Sequence, residues 1–255
     1  MKAYDFVRYA EKQILENKMS PDALCGEEKA KRKIEGNRKH KDSLSLYRQT
    51  YFLKIRNIDL PLKVKRKSHT EKRKQNKRLF GMSIEERGDE VNNRTAFGDR
   101  EIDTVVGKKD SSSVLLSLDE RLTRKRHLVK IPSRSSDSVR VGLEKIAKLY
   151  GESFETVFKS VTSDNNGSEF VDLGRYLPKS TKVYYAHQYS SYERGTNEKK
   201  NSLVLRFFPK GKSLDHITDE QVAFVESWIN NLPRKIFNYH SSDFIFQSVL
   251  FDIAI

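Results

Sequence analysis

The order of predicted strands and helices after residue 98 constrains the fold of this chain more than any other feature. Short β-rich runs alternate with helical patterns there. The predicted strands are residues 101–106, 113–118, 127–132, 158–162 and 182–186. The predicted helices are residues 138–150, 196–206 and 218–230. Three strands followed by alternating helices and strands predict an α/β fold, a mixed sheet covered by helices.

The amino-terminal part has a different, all-helical pattern. Residues 4–17 place Phe6, Ala10 and Ile14 at helical spacing, and Ser20-Pro21 is a helix-start signal for a second helix to about residue 33. A third helix is predicted over 44–53. Three short helices with tight joints fit a small helix-turn-helix module over residues 1–57, although many small helical bundles share this pattern.

Positive charge is concentrated in this front part. Residues 1–80 hold 23 Lys and Arg against 10 Asp and Glu, whereas the remaining 175 residues hold 26 against 25. A basic module joined to a near-neutral body favours a part that grips a polyanion such as DNA. The alternative is a basic tail that binds RNA or anionic lipid nonspecifically.

A basic linker is predicted between the two parts, over residues 58–94. Within it, residues 63–78 carry nine basic residues in sixteen, too polar to pack as an element. We expect these residues to contact DNA phosphates rather than to serve only as a solvated spacer. The predicted contacts are Lys63, Lys65, Arg66, Lys67, Lys72, Arg73 and Lys74.

Composition excludes several other classes. No apolar run approaches the roughly 18 to 20 residues needed to span a bilayer, and the start of the chain lacks the apolar stretch of a secretion signal. Cys25 is the single cysteine, which excludes an internal disulfide and a cysteine-based zinc cluster. We therefore expect a cytoplasmic protein with no membrane partner.

Three acidic residues lie at positions where a carboxylate lowers stability unless it has a function. Asp103 interrupts the first strand, Asp164 directly follows the fourth, and Glu198 lies near the start of a helix. Their oxygen ligands suit Mg²⁺, or Mn²⁺ in its place, and two such ions would assist an in-line displacement at phosphorus. Taken singly, each has an ordinary alternative: an edge-strand residue, a turn former and a helix-start charge.

The sequence motifs around these acids resemble those of a known protein family. The three motifs are Gly98-Asp-Arg-Glu-Ile-Asp-Thr-Val-Val-Gly, Thr162-Ser-Asp-Asn-Asn-Gly-Ser-Glu-Phe and Tyr189-Ser-Ser-Tyr-Glu-Arg-Gly-Thr-Asn-Glu. They resemble the acidic motifs of the insertion-sequence-thirty family of DDE transposases. Lys54-Ile-Arg-Asn-Ile-Asp-Leu-Pro-Leu-Lys, Phe208-Pro-Lys-Gly, Asn230-Asn-Leu-Pro-Arg-Lys and Asn238-Tyr-His-Ser-Ser-Asp-Phe-Ile-Phe are also similar.

The resemblance implies a ribonuclease H-like integrase catalytic core, over residues 95–255, with Asp103, Asp164 and Glu198 as catalytic and metal-binding residues. It implies a bacterial, nucleoid-associated enzyme that cuts double-stranded DNA at the terminal inverted repeats of a mobile element and joins the freed 3′-hydroxyl to target DNA. A homo-oligomer on DNA is expected by analogy. Further DNA contacts are predicted at residues that flank Glu198 and at the end of its helix: Arg194, Asn197, Lys199 and Arg206.

The chain also departs from the family pattern. Members usually begin with a further helix-turn-helix module, and Met1 falls near the second one. Arg100 and Ile102 stand where Trp and Gly are usual, one of Asn165 and Asn166 is extra, and Gln188, Leu205 and Leu232 replace Pro, Arg and Arg. These changes favour a second hypothesis for the function, an inactive DNA-binding remnant. A third hypothesis is a nuclease that uses the same acids only for hydrolysis. Leu205 is read either as a lost DNA contact or as a core residue.

The remaining candidates have weaker patterns. His127, His187 and His240 form no recognised metal-binding spacing, so we interpret them as surface or packing residues. Trp228 is predicted to lie in the core.

Overall fold

A computed structural model of the protein describes residues 3–30, 54–56, 59–60, 80–108, 112–164, 167–187 and 195–254. The chain divides into two compact units. The first contains residues 1–73 and 231–245, and the second contains residues 74–230 and 246–255. No helix in the described ranges is long and apolar enough to cross a membrane.

The first unit contains two of the predicted amino-terminal helices. Helix α1 is Ala3–Leu15 and helix α2 is Pro21–Ala30. The Ser20 hydroxyl accepts a hydrogen bond from the Ala23 amide at 3.1 Å, which caps α2 as its sequence predicts. Phe6, Ala10 and Leu24 are buried in the small core of this unit. The third predicted helix, residues 44–53, lies outside the described residues, so the helix-turn-helix interpretation stays a prediction.

The second unit is built on a six-stranded sheet in the described part of the chain. Its strands are β1 Met82–Ser83, β2 Asp99–Val106, β3 Val114–Glu120, β4 Arg126–Ile131, β5 Ser160–Ser163 and β6 Lys182–Tyr185. Their spatial order is β1-β6-β5-β2-β3-β4. Strands β2, β3 and β4 are antiparallel neighbours, while β5 and β6 add in parallel beside β2. This confirms the predicted mixed sheet covered by helices.

In the described part of the chain, the three helices predicted after residue 98 are present in the predicted order, together with four helices that the sequence pattern did not predict. They are α3 Asp89–Asn93, α4 Ser136–Tyr150, α5 Phe154–Val157, α6 Leu173–Tyr176, α7 Gly195–Val204, α8 Asp219–Asn231 and α9 Ser242–Ala254. The Ser135 hydroxyl accepts from the Ser138 amide at the start of α4. A serine in that position satisfies an amide that the helix leaves unpaired, so α4 starts after Ser135.

Helix α4 packs closely on one face of the sheet through a glycine. A Cβ atom on Gly142 would lie 2.7 Å from Leu116 Cδ2 and 2.9 Å from Ile131 Cγ2. Because these distances are shorter than side chains tolerate, a larger residue would push the helix away from β3 and β4. The core on this side is apolar and contains Ile102, Leu116, Leu118, Val139, Leu143 and Ile146.

The opposite face of the sheet carries α7 and α8. Here Leu115 and Leu128 pack with Val222, Val225 and Ile229 of α8. Asp103, Ser117 and Asp119 continue the same face because side chains alternate along a strand. This is the face that positions the candidate site.

The linker predicted over residues 58–94 is described only in part. Its described end contains β1 and α3, and β1 pairs in parallel with β6. Residues 80–94 therefore contribute to the sheet unit. A strand of two residues is too short to show a periodic signal in the sequence, so the linker prediction extended over it. Residues 63–78, with all seven predicted phosphate contacts of the linker, lie outside the described residues.

Candidate active site

Asp103 and Asp164 occupy equivalent places on neighbouring parallel strands. Strand β2 pairs with β5 at Asp99↔Ser160, Arg100↔Val161 and Glu101↔Thr162. Each pair is separated by 61 residues, which is also the separation of Asp103 and Asp164. The two acids therefore continue the register by two residues, on the face shared by Glu101 and Thr162. Since neighbouring strands lie about 4.7–4.9 Å apart, the register brings these two acids side by side.

The carboxylate of Asp103 is half-buried and is held by helix α7. The Asn201 Nδ2 group donates to Asp103 Oδ2 at 2.9 Å. The Thr104 amide donates to Asp103 Oδ1 at 2.9 Å. A carboxylate offers about four lone-pair sites on its two oxygens, so these two hydrogen bonds do not by themselves exhaust its capacity to accept.

Glu198 lies in α7, three residues before Asn201. Asn201, one helical turn further along α7, is the residue that contacts Asp103. The side chain of Glu198 lies outside the described part of the protein, as do those of Asn197 and Lys199. Arg194 is outside the described residues altogether.

Helix α7 is fixed to the sheet by a buried ion cluster beside Asn201. Lys200, 3% exposed, donates to Asp119 Oδ1 at 2.6 Å and to the Arg124 carbonyl at 2.7 Å. Arg126 pairs with the same carboxylate through two bonds, Nε to Oδ1 at 2.9 Å and Nη2 to Oδ2 at 2.6 Å. Arg126 Nη2 also donates to Asn201 Oδ1 at 3.0 Å.

The charge balance of this cluster favours an ionised Asp119. Burial is the largest single influence and would raise the pKa of Asp119, but Arg126 and Lys200 together outweigh it and hold that pKa below its usual value. The cluster was missed by sequence reasoning. The three-residue spacing between Glu198 and Asn201 could have indicated Asn201, whereas the pairing of Asp119 with Arg126 requires the register of β3 and β4.

Glu169 is a second buried acid near this end of the sheet. It is 2% exposed, accepts from the Thr104 hydroxyl at 3.2 Å and forms an ion pair with Arg134. Thr104 points to the opposite face from Asp103, because it follows Asp103 directly in β2. Glu169 thus belongs to the scaffold behind the two aspartates. Its place in the second quoted motif was the available sequence signal.

The donor set at the two aspartates fits a hard divalent cation. Mg²⁺ commonly uses one or two protein carboxylates and keeps waters in its remaining positions. Among the described side chains, no group of three or more His, Cys, Asp or Glu residues is close enough to hold a metal ion. Asp103 and Asp164 supply two such ligands, and the third predicted ligand, Glu198, is the one whose side chain is not described.

Two positions beyond α7 pack against the core of the α8 face. Leu205 is partly buried against that core, as the packing alternative predicts. Arg206 is half-buried, with its guanidinium carbon 5.6 Å from the centre of the Trp228 ring. Burial lowers the pKa of Arg206. The contact of Arg206 with DNA stays a prediction.

Two residues at family-departure positions are deeply buried. Arg100 is fully buried, with its guanidinium carbon 4.1 Å from the centre of the Phe158 ring. Its Nε donates to the Val157 carbonyl at 2.8 Å, while its two terminal nitrogens, near the Tyr150 hydroxyl, have no acceptor in good hydrogen-bond geometry among the described residues. Ile102 is also fully buried, in the core beneath α4. Asn165, Asn166 and Gln188 lie outside the described residues, and Leu232 packs in the first unit.

The three histidines occupy separate environments. His127 is buried, with Nε2 2.5 Å from the Tyr150 hydroxyl and Nδ1 3.3 Å from Glu226 Oε1. His187 is exposed, and the ring of His240 stacks on Phe244. Trp228 is partly buried against the core of the α8 face.

No family model matches the chain, but curated proteins do. It is 40% identical over 196 residues to a probable transposase for the insertion-like sequence element IS1161 of Streptococcus salivarius, which covers 76% of this chain and 55% of that protein. It is 31% identical over 170 residues to the transposase of IS4351 of Bacteroides fragilis, covering 66% and 50%. It is 32% identical over 164 residues to transposase InsI of IS30A of Escherichia coli, covering 62% and 40%.

These similarities confirm the predicted resemblance to insertion-sequence transposases. The chain spans about half the length of the curated relatives it matches, 40% to 55% of each of these three. Among solved structures, it is similar to the catalytic core domain of BIV integrase, with a TM-score of 0.46 and 14% identity over 63% of this chain and 100% of that one.

Proposed function

We propose that this chain, whose sequence is similar to those of insertion-sequence transposases, is the DNA-cleaving and strand-transferring part of such an enzyme. The observation that carries this proposal is the shared register of Asp103 and Asp164 on neighbouring strands, with α7 held over them through Asn201. Two carboxylates side by side repel one another unless a cation or a proton separates them. A divalent metal site would explain why two carboxylates lie next to each other in this place.

In the proposed site, Asp103, Asp164 and Glu198 hold Mg²⁺ or Mn²⁺, and two ions are bound during the reaction. When bound, these ions polarise the phosphodiester and lower the pKa of the attacking water or hydroxyl. The carboxylates of the chain fix the place of the reacting phosphate.

The proposed reaction has two displacements at phosphorus. First, water attacks the phosphodiester at the end of the element; its oxygen bonds to phosphorus, the bond to the 3′-oxygen breaks, and a 3′-hydroxyl is released. That hydroxyl then attacks a phosphodiester of the target, which forms the joint and releases a target 3′-hydroxyl. Each step exchanges one phosphorus–oxygen bond for another, so no oxidant or reductant is needed.

The basic front part is the proposed grip on DNA. Residues 63–78, with nine basic residues in sixteen, would contact phosphates of the terminal inverted repeats and target, and Arg194, Asn197, Lys199 and Arg206 would contact DNA nearer the metal. We further propose that the enzyme acts as a homo-oligomer on DNA, in association with the bacterial nucleoid. The domain boundary at residue 57 belongs to this proposal too, whereas residues 80–94 belong to the sheet unit.

The decisive experiment uses the full chain, duplex DNA from the ends of the element that encodes it, and Mg²⁺ or Mn²⁺. The wild-type chain should give nicked and joined products. Asp164→Asn removes one carboxylate charge from the site and should abolish both products while leaving DNA binding unchanged. Glu144→Gln is the matched control, because it removes the same charge from an exposed ion pair with Arg140 on α4 and should change neither product.

Other outcomes distinguish the alternatives. Binding without either product would identify an inactive remnant. Nicks without joining would identify a nuclease. If Asp164→Asn cut DNA as fast as the wild-type chain, the assignment of the metal ligands would be wrong.

A further inference from the structure

Three charged side chains, one acidic and two basic, are buried next to the candidate metal site. Asp119 of β3 and Arg126 of β4 are each fully buried, and Lys200 of α7 is 3% exposed. They come from three different elements and meet at one carboxylate. We call these three residues the ion cluster. The metal chemistry proposed above gives them no direct role.

The ion cluster is connected to Asp103 by two successive hydrogen bonds. Arg126 Nη2 donates to Asn201 Oδ1 at 3.0 Å, and Asn201 Nδ2 donates to Asp103 Oδ2 at 2.9 Å. A guanidinium can only donate hydrogen bonds, so Arg126 selects the oxygen of the Asn201 amide. The amide nitrogen is thereby turned toward Asp103. Arg126 is itself held in place by its two bonds to Asp119.

Stability alone is a weak explanation for such a cluster. Removing charges from water costs several kcal/mol per ion, and apolar residues of similar volume in the same place are often as stable or more so. The other end of this sheet face is filled with Leu115, Leu128 and the apolar side of α8. An apolar continuation toward Asp119 would therefore be available to the fold. It would lack a donor to orient Asn201.

We propose that Asp119, Arg126 and Lys200 are positioning residues, which act through Asn201 to hold Asp103 and α7 in the arrangement that binds the divalent cation. This inference rests on the proposed function, since it assumes that Asp103 is a metal ligand. Lys200 fixes α7 to β3, and Arg126 fixes the amide that orients the carboxylate. Groups that orient a metal ligand in this way typically change metal affinity about 10- to 100-fold when they are removed.

The test measures Mn²⁺ binding to the full chain by isothermal titration calorimetry, together with thermal unfolding in the absence of metal. Asn201→Ala removes the link but leaves the ion cluster paired. The triple variant D119L/R126M/K200M replaces the ion cluster with apolar side chains of similar length. Both should raise the Kd for Mn²⁺ by about tenfold or more, and the triple variant should keep the Tm of the wild-type chain or exceed it.

Two further variants separate positioning from folding. Arg126→Lys keeps a positive charge beside Asp119 but lacks the planar fork that reaches Asn201, so it should also weaken Mn²⁺ binding. Leu116→Ala removes a fully buried side chain beneath α4, on the other face of the sheet. It should lower the Tm clearly while leaving the Kd for Mn²⁺ unchanged. This result would show that a loss of stability does not by itself weaken metal binding.

The outcomes distinguish this inference from the proposed function. If the wild-type chain bound no Mn²⁺, or if Asp164→Asn bound it equally well, the metal site itself would be wrong, and the positioning role with it. If binding required Asp164 but stayed within about twofold of wild type in the triple variant and in Asn201→Ala, only the positioning role would be overturned. Should the triple variant fail to fold, Asn201→Ala and Arg126→Lys decide the question by themselves.

Discussion

The two faces of the sheet are both buried, but they differ in what fills them. The face under α4 is an apolar core in which Ile102, Leu116 and Leu118 meet Val139 and Leu143. The face under α7 and α8 is apolar at one end of the strands and charged at the other, where Asp119 and Arg126 are fully buried. A side chain on the first face acts through its volume. A charged side chain on the second acts through its partner.

The largest expected effect comes from breaking a partnership on the charged face. Arg121 pairs with Glu101, and both are almost completely buried. Arg121→Met leaves Glu101 as an uncompensated buried charge, which should lower the free energy of unfolding by about 3–5 kcal/mol. The double variant Glu101→Met/Arg121→Met should recover most of that loss. Urea unfolding of the two variants measures both quantities, and a double variant no more stable than the single one would contradict the comparison.

The sequence predicts the sheet well because its strands are long enough to show a pattern. Strands β2 to β6 and helices α4, α7 and α8 fall within a few residues of their predicted positions. Asp103 and Asp164 were predicted from their local motifs, and the structure adds that their separation equals the register offset of the two strands. Strand β1 has two residues and gives no periodic signal.

The ion cluster could not be predicted in the same way. Asp119 and Arg126 are opposed only because β3 and β4 pair in one register, and a shift of one residue would move them to opposite faces. Lys200 reaches Asp119 only when α7 is docked on the sheet. Each of these charges, read alone, is typical of a solvated surface. Their meaning depends on tertiary contacts between distant segments.

Arg100 is a fully buried charged residue on the otherwise largely apolar face, and replacing it should raise stability. Burial lowers the pKa of Arg100, the nearby Tyr150 hydroxyl and Glu120 oppose that shift only in part, and neither terminal nitrogen has an acceptor in good hydrogen-bond geometry among the described residues. Because a buried donor without a partner costs about 1–3 kcal/mol, Arg100→Met should raise the free energy of unfolding by about 1–2 kcal/mol. The matched control is Arg140→Met on the exposed side of α4, which should have almost no effect. Loss of stability in Arg100→Met would mean that the contact with Phe158 outweighs desolvation.

His127 should make the apolar face weakly sensitive to acid. Burial, the largest cause, lowers the pKa of His127 below 6.5, and Glu226 opposes the shift only in part. As the pH falls below about 6.5, the unfolded chain takes up a proton that the native state resists, so stability falls with decreasing pH. The loss is at most about 1.4 kcal/mol per pH unit.

His127→Gln keeps a polar partner for the Tyr150 hydroxyl but cannot titrate in this range. Urea unfolding at about pH 7.5 and about pH 5.5 should therefore show a smaller decrease in the variant than in the wild-type chain. The same change at His240, which is exposed, should leave the decrease as it is. Equal decreases in all three proteins would show that the charged face alone sets the acid sensitivity.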